Sequence, residues 1–309
     1  MKESFHNYFQ MGIVHAMAFP ETGSGDGPIV ETVRRIAEDD YFDAVELPYI
    51  PDPVKLEQVK KVCETAHLAV GIAGQPRLLS SGSNINDLDE EKRLAAVELI
   101  KECIDQADYL GAKAVAYLSG KYEEDKFEAY YGQLVKSAGE LCEYAGQKGI
   151  RTLVEVFDYD VDKKSIIGPV ATAKRFAEEM RANYDNFGLL VDLSHMPLLR
   201  ESPAESMTPV RDYIEHLHVG NAVCKEGLEG YGDLHPRFGF PGSSVDAEEL
   251  KEFLETALKL GLIGGDKRPF LSFEVKPWKD EEPELVIANA KRTMNLAWGE
   301  ASDGGQQED

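Results

Sequence analysis

Eight short apolar segments, each followed by a stretch with helical spacing, constrain the fold of this chain more than any other feature. The segments lie at residues 11–19, 43–50, 68–74, 112–120, 151–158, 187–195, 214–221 and 269–277. They are apolar at both odd and even positions, the pattern of parallel strands that are covered on both faces. Eight successive βα units without a dividing linker predict an α/β fold made of a single (β/α)8 barrel.

The predicted barrel occupies residues 10–298. Residues 1–9 are then an N-terminal extension, and residues 299–309 are predicted to be a disordered acidic tail. No glycine-rich dinucleotide-binding motif follows the first strand, which favours a closed barrel over an open nucleotide-binding sheet.

The charge balance excludes several classes of partner. The chain has 56 acidic and 33 basic residues, a net charge of −23. Such a surface repels phosphate backbones and anionic bilayers, so we expect neither a nucleic-acid nor a membrane partner. The absence of a signal peptide and of paired cysteines predicts a cytoplasmic protein.

The last four predicted strands carry ionisable residues at their carboxyl ends, where barrels place their active sites. Buried charges of this kind are costly unless they are paired or bound to a metal. These residues are Glu155 and Asp158, Asp192 and His195, His216 and His218, and Glu274 and Lys276.

One imidazole and three carboxylates from this group suit a hard divalent ion. The candidate ligands are Glu155, Asp192, His218 and Glu274. Oxygen-rich sites favour Mn²⁺ or Mg²⁺, and a structural zinc site would call for nearby thiolates. His216 shares the face of His218 but lies deeper in the strand, so we expect it in the core or behind the ligands.

The ordered motifs VEVFD, DLSH, HLHVG and FEVKP resemble those of the xylose-isomerase-like barrels, which include sugar-phosphate isomerases, ketose 3-epimerases and hydroxypyruvate isomerase. The resemblance implies one divalent ion, typically Mn²⁺, with Mg²⁺ or Co²⁺ as alternatives. It implies that Glu155 and Glu274 also act as acid and base beside a substrate carbonyl, and that His195 contacts the substrate. The expected partner is a keto-sugar or oxidised glycoside, bound by an oligomeric enzyme.

The chain departs from the ketose 3-epimerase pattern after its HLHVG motif. The substrate-binding arginine of that pattern is replaced by Cys224 and Lys225, and a glycine-rich loop follows at residues 229–243. In this loop we predict a catalytic His235, closing over the sugar as part of a lid. We predict that Asp233 and Arg237 bind substrate, together with Lys276 after the eighth strand.

Three loops resemble those of the α subunits of C-glycoside deglycosidases: residues 12–22, 158–169 and 232–242. This second resemblance implies cleavage of the sugar–aglycone bond of a 3-oxo-glucoside by enolisation and elimination, with a small β-sandwich partner subunit. His15 lies at the end of the first predicted strand, and from that position we expect it to face the pocket as a catalytic residue.

Other functions remain open from the sequence. The same residues could isomerise or epimerise a free sugar, because reprotonating the enolate replaces the elimination. A metal-free retaining glycosidase would use only Glu155 and Glu274, leaving Asp192 and His218 unexplained. An apurinic endonuclease would require a histidine-rich zinc site, and a non-catalytic binding barrel would not require so many ionisable strand ends.

Overall fold

Eight parallel strands form one sheet in the computed structural model, which describes residues 3–265 and 267–301. The order is β1-β8-β7-β6-β5-β4-β3-β2, so neighbours along the chain are neighbours in space. The strands β1–β8 are Gln10–Ile13, Ala44–Leu47, Ala69–Ala73, Ala114–Leu118, Arg151–Val156, Phe187–Asp192, Ile214–Gly220 and Phe270–Glu274. The predicted single (β/α)8 barrel is confirmed.

Helices alternate with these strands and cover the outside of the barrel. The helices α1–α11 are His15–Ala18, Ile29–Ala37, Pro53–Ala66, Gln75–Ser81, Glu90–Leu110, Phe127–Gly146, Val170–Arg181, His195–Leu199, Pro203–Met207, Ala247–Lys259 and Pro283–Glu300. Single turns of 3₁₀ helix lie at Phe5–Asn7, Pro20–Thr22 and Glu124–Lys126, and a longer one at Thr208–Tyr213. Among the described residues, no helix is long and apolar enough to cross a bilayer.

Local sequence explains where several helices begin and end. Asp52 accepts a hydrogen bond from the Val54 amide at 2.8 Å, and Pro53 occupies the first helical position of α3. Asp89 caps α5 in the same way, and that helix ends at Gly111 in the left-handed conformation. Polar caps therefore define the βα loops at the active-site end of the barrel.

The ring closes between β1 and β2 by a different set of contacts from the other strand pairs. In the part of the chain that the structure describes, β1 and β2 share no ladder, and one isolated parallel bridge joins Val14 to Glu46. The Asp43 amide donates to the Met11 carbonyl at 2.8 Å, and the Met11 amide donates to Asp43 Oδ2 at 3.0 Å. His6 Nδ1 lies 2.7 Å from the same Asp43 oxygen. The Asp43 side chain thus supplies a hydrogen-bond acceptor that a main-chain carbonyl would supply in a regular strand pair.

The first predicted strand is longer than the observed one. β1 ends at Ile13, and residues 15–18 form the short helix α1. Apolar periodicity could not separate the two, because both are buried. At the other end of the chain, residues 302–309 of the predicted acidic tail lie outside the described residues.

Candidate metal and active site

Four side chains from adjacent strand ends meet at the carboxyl end of the barrel. One ligand atom from each of Glu155, Asp192, His218 and Glu274 lies within 4.8 Å of the others. His218 Nδ1 is 2.7 Å from Glu274 Oε2 and 3.8 Å from Glu155 Oε1. Consecutive parallel strands β5 to β8 end at this rim, which explains why residues far apart in the chain converge here.

Neighbouring groups hold two of the carboxylates in place. Ser194 donates to Asp192 through its amide at 2.9 Å and through its hydroxyl at 2.5 Å. Gln75 Nε2 donates to Glu155 Oε2 at 2.6 Å. Glu155 Oε1, in contrast, is buried without a hydrogen-bond partner among the described residues. That oxygen is oriented into the cluster and available to a ligand.

A buried glutamate on β2 orients the histidine from the far side of the barrel. Glu46 Oε1 lies 3.0 Å from His218 Nε2 and 2.9 Å from His216 Nε2, and the Glu46 residue is 1% exposed. A carboxylate behind a metal-ligating imidazole fixes its tautomer and raises its basicity. With Nε2 directed at Glu46, Nδ1 of His218 faces the cluster.

Burial and mutual charge shift the pKa values of the residues in this cluster. Burial raises the pKa of Glu155 to about 8, and the charge of Glu274 adds to this effect. Burial would also raise the pKa of Glu274, but the charges of His235 and His218 lower it to about 2. Burial would lower the pKa of His218, but Glu46 and Glu274 raise it well above its usual value. Binding a cation would therefore release protons.

These residues fit a divalent metal ion. Ligands about 2.1 Å from an ion lie at most about 4.2 Å apart, so donor atoms within 4.8 Å need only small shifts to close around it. Three carboxylates and one imidazole are ligands suited to Mn²⁺ or Mg²⁺. The unpartnered Oε1 of Glu155 is the kind of buried polar atom that a bound ion would satisfy.

A second buried group of charges borders the metal cluster. Asp233 Oδ1 is 2.9 Å from His235 Nε2 and 3.2 Å from His195 Nε2, and its Oδ2 is 2.8 Å from Lys163 Nζ. Burial would lower the pKa of His235, but mainly the charge of Asp233 raises it to about 9. Lys163 lies in the loop after β5 and Asp233 in the loop after β7, so the ion pair joins two active-site loops.

Backbone conformation fixes the position of His235. Its φ of 51° is in the left-handed region, which is uncommon for a residue other than glycine. Its carbonyl accepts a hydrogen bond from the Lys276 amide at 2.7 Å, which attaches the loop to the end of β8. A Cβ on Gly220 would lie 2.6 Å from the Glu274 carbonyl and 2.9 Å from His235 Nδ1, so only glycine fits at the end of β7.

A cavity of 230 Å³ opens above both clusters. Its base carries the buried Glu155, His218, Asp233 and His235 and the partly buried Glu274. Its more exposed wall is largely apolar, formed by Met17, Pro76, Leu79 and Leu234. The cavity is charged where it is deep and largely apolar where it is open, with the exposed Lys276 as the charged residue of the open part.

Three of the predicted substrate-contacting residues line this cavity: Asp233, His235 and Lys276. His195 does not line it, since its Nδ1 bonds to the Val156 carbonyl at 2.8 Å and its Nε2 is covered by Asp233. Arg237 also lies outside the lining, where it donates to Glu281 Oε1 at 2.9 Å.

The expectation that His15 faces the pocket is wrong. Because β1 ends early, the His15 ring turns into the core at the start of α1, and 0% of the residue is exposed. Its Nε2 lies 2.8 Å from Thr32 Oγ1 and its Nδ1 3.2 Å from Thr22 Oγ1. Burial lowers the pKa of His15 to about 3, so the ring is neutral near pH 7.

Sequence reasoning missed Glu46 and Gln75. Glu46 is the one charged residue in a four-residue strand, AVEL, and all four positions are buried. An isolated glutamate in a buried strand is itself a signal, because such a charge requires a partner. Gln75 follows β3 at the first position of α4 and had no comparable signal.

The fold and the site together define a barrel of the xylose isomerase-like class. The family model described as "Xylose isomerase-like TIM barrel" matches residues 33–292, so the chain belongs to that family. No curated protein matches the sequence.

Several solved structures share the fold. D-psicose 3-epimerase from Clostridium cellulolyticum H10 superposes with a TM-score of 0.69 at 14% identity, covering 94% of this chain and 99% of that chain. The 3-keto-D-glucoside 4-epimerase of E. coli gives 0.69 at 17% identity, covering 93% and 99%. A D-tagatose 3-epimerase-like protein gives 0.72 at 18%, covering 94% and 99%.

Proposed function

We propose that the protein is a divalent-metal-dependent enzyme that moves a proton on the carbon next to the carbonyl of a keto-sugar. Its principal reaction is cleavage of the sugar–aglycone bond of a 3-oxo-glucoside. The observation that carries the proposal is the arrangement of Glu155, Glu274 and His218 at the base of a cavity that is charged inside and largely apolar at its mouth.

The proposed metal ligands are Glu155, Asp192, His218 and Glu274, with Mn²⁺ as the expected ion. A bound divalent ion would supply an electrophile for the oxyanion that develops as the sugar enolises. The side chains supply the proton transfers. Glu155 and Glu274 come from β5 and β8, so they reach the cavity from separated strands and can act as base and acid.

Elimination requires no further reactant. A carboxylate removes the proton from C2, next to the 3-keto group, and the electron pair forms the enolate. When the C3 carbonyl re-forms, a C1–C2 double bond forms and the C1–aglycone bond breaks. The aglycone then receives one proton. In this elimination one glutamate acts as the base and His235 is the proposed donor, because His235 lines the cavity with its Nε2 3.7 Å from Glu274 Oε1.

The apolar wall favours a glycoside over a free sugar. Leu79 is 49% exposed and Leu234 is 36% exposed at the cavity mouth. A free ketose presents hydroxyl groups to such a wall, whereas an aromatic aglycone would bury this apolar surface and gain about 25 cal/mol per Å².

Isomerisation or epimerisation of a keto-sugar is the second candidate. The fold is shared with structures described as ketose 3-epimerases and a 3-keto-glucoside 4-epimerase. The same carboxylates could return the proton to the other face or to the neighbouring carbon, so only the fate of the enolate differs.

The deciding assay measures aglycone release from a 3-oxo-C-glucoside by metal-stripped protein before and after Mn²⁺ is restored. It is run with and without any small β-sandwich subunit encoded beside this chain, since we propose such a partner within an oligomer. Release that depends on Mn²⁺ and is lost in Glu155→Gln supports the lyase. Glu98→Gln, an exposed glutamate on α5, is the matched control.

Two further results would redirect the proposal. Exchange of solvent deuterium into a free ketose, without aglycone release, would identify an isomerase or epimerase. Release that persists without metal would contradict the four-ligand site. Leu79→Ser separates the substrates, because it should raise KM for the glycoside and leave KM for a free ketose unchanged.

A further inference from the structure

The barrel contains a second cavity, of 170 Å³, at the end opposite the candidate active site. It opens among the amino ends of the strands, where Gln10, Lys113, Arg151 and Phe270 line it. At its inner end it reaches Glu46 and His216. Neither the family nor the proposed function assigns this cavity a role.

Positive charge concentrates at its mouth, although the whole chain carries −23. Lys113, Arg151 and Arg268 all line the opening. Among residues 3–265 and 267–301, Lys113 forms no ion pair. Arg268 is 3.9 Å from Asp43 Oδ2, an oxygen that already accepts the Met11 amide.

The remaining cation at the mouth shares its carboxylate partner. Arg151 Nη1 is 3.4 Å from Glu215 Oε1, and Arg181 Nη1 is 3.7 Å from the same oxygen. Among the described residues, the three cations that line the mouth therefore have two carboxylates near them, Glu215, which Arg181 shares, and Asp43, which His6 shares. The opening has capacity for an additional anion.

The walls behind this mouth are apolar, and three of their residues are small. These are Gly71 on β3 and Ala114 and Ala116 on β4, and they are joined by the larger Val70, Ile72, Leu153 and Phe270. Barrels of this kind usually fill their interior with bulky branched side chains. An apolar cavity of about 150 Å³ is large enough to bind benzene, so this one can hold a compact apolar group.

The inner end of the cavity restricts the charge of a ligand. The Glu46 carboxylate lies there, held by His216 and His218, and it would repel a second anionic group. A ligand that satisfies both ends has one negative charge at the mouth and an uncharged body inside.

We propose that this cavity is a binding site for a small monocarboxylate with a compact apolar or aromatic body. The carboxylate contacts Lys113, Arg151 and Arg268, and the body lies against Ala114 and Ala116. The site opens at the other end of the barrel from the candidate active site, with the Glu46 side chain between the two, and the proposal does not depend on the reaction catalysed there.

The test uses benzoate as the probe and alanine methyl groups as reporters. The full-length protein is labelled at its alanine methyls, and spectra are recorded as benzoate is added. Shifts are expected at Ala114 and Ala116. Ala16, which lines the active-site cavity, should not move, whereas Ala73 is paired with Ala116 across β3 and β4 and is not used as a control. A shift at Ala16 without shifts at Ala114 and Ala116 would overturn the proposal.

Variants test the two parts of the site. Lys113→Gln should weaken benzoate binding about two- to fivefold, the range for a partly solvated charge contact, and the exposed control Lys92→Gln should not. Ala114→Leu should fill the cavity and abolish binding, with its melting temperature checked for correct folding. Benzyl alcohol, the neutral analogue, should bind more weakly than benzoate. Equal binding of the two probes, or unchanged binding in both site variants, would refute the site.

Discussion

Replacing Glu46 with glutamine is expected to weaken metal binding 10- to 100-fold, the range for loss of a carboxylate behind a metal-ligating histidine. This corresponds to about 1.4–2.7 kcal/mol of binding free energy. The structural reason is that both carboxylate oxygens of Glu46 lie near His218 Nε2, at 3.0 and 3.2 Å. Glu46 Oε1 also lies 2.9 Å from His216 Nε2. Glutamine offers one neutral oxygen and presents an N–H in place of the other.

The assay is calorimetric titration of Mn²⁺ into metal-stripped protein. Glu57→Gln, an exposed position on α3, removes the same charge at the surface and should bind Mn²⁺ like the unmodified protein. Circular dichroism confirms that the barrel is intact. If folded Glu46→Gln binds Mn²⁺ as tightly as the unmodified protein, the orienting role of Glu46 is refuted.

Three other perturbations have defined outcomes. Because the pKa of buried His15 is about 3 against 6.5 when unfolded, the unfolded chain binds the extra proton, so stability falls as the pH drops below 6.5. Near pH 5, His15→Gln should reduce the pH dependence of the unfolding free energy by about 1.4 kcal/mol per pH unit, as measured by urea titrations at several pH values. An unchanged pH dependence would contradict a neutral, buried ring. Mn²⁺ at about 100 times its Kd should stabilise the protein by about 2.7 kcal/mol in thermal melts, and Asp192→Asn should lose most of this gain; equal gains would exclude Asp192 as a ligand. Gly220→Ala should reduce activity by displacing Glu274 and His235 while preserving the fold, and full activity with unmoved loops would show that the Cβ is accommodated.

Strand positions could be predicted from the sequence because parallel barrel strands are apolar on both faces. That pattern located all eight, and the carboxyl ends of β5 to β8 then indicated which ionisable residues converge. Glu155 and Glu274 are 119 residues apart, yet barrel topology alone predicts that they share one rim.

Contacts across the barrel interior were not predictable in this way. Glu46 lies 172 residues from His218 in sequence, and strand order does not say which side chains meet at the centre. The orientation of His15 depended on where β1 ends, a boundary that periodicity leaves open by several residues. Arg237 forms an ion pair with Glu281, and no sequence motif indicated where the loop that carries Glu281 would lie.

The junction between β1 and β2 can be weakened by a point mutation, which would affect closure of the barrel. At the other junctions, main-chain ladders join the strands, and no side-chain replacement short of proline can delete such a bond. At this seam the Met11 amide is satisfied by the Asp43 carboxylate, and His6 shares that acceptor. A single codon change at Asp43 would leave a strand amide without its acceptor. Closure of the barrel therefore depends in part on a single side chain, that of Asp43.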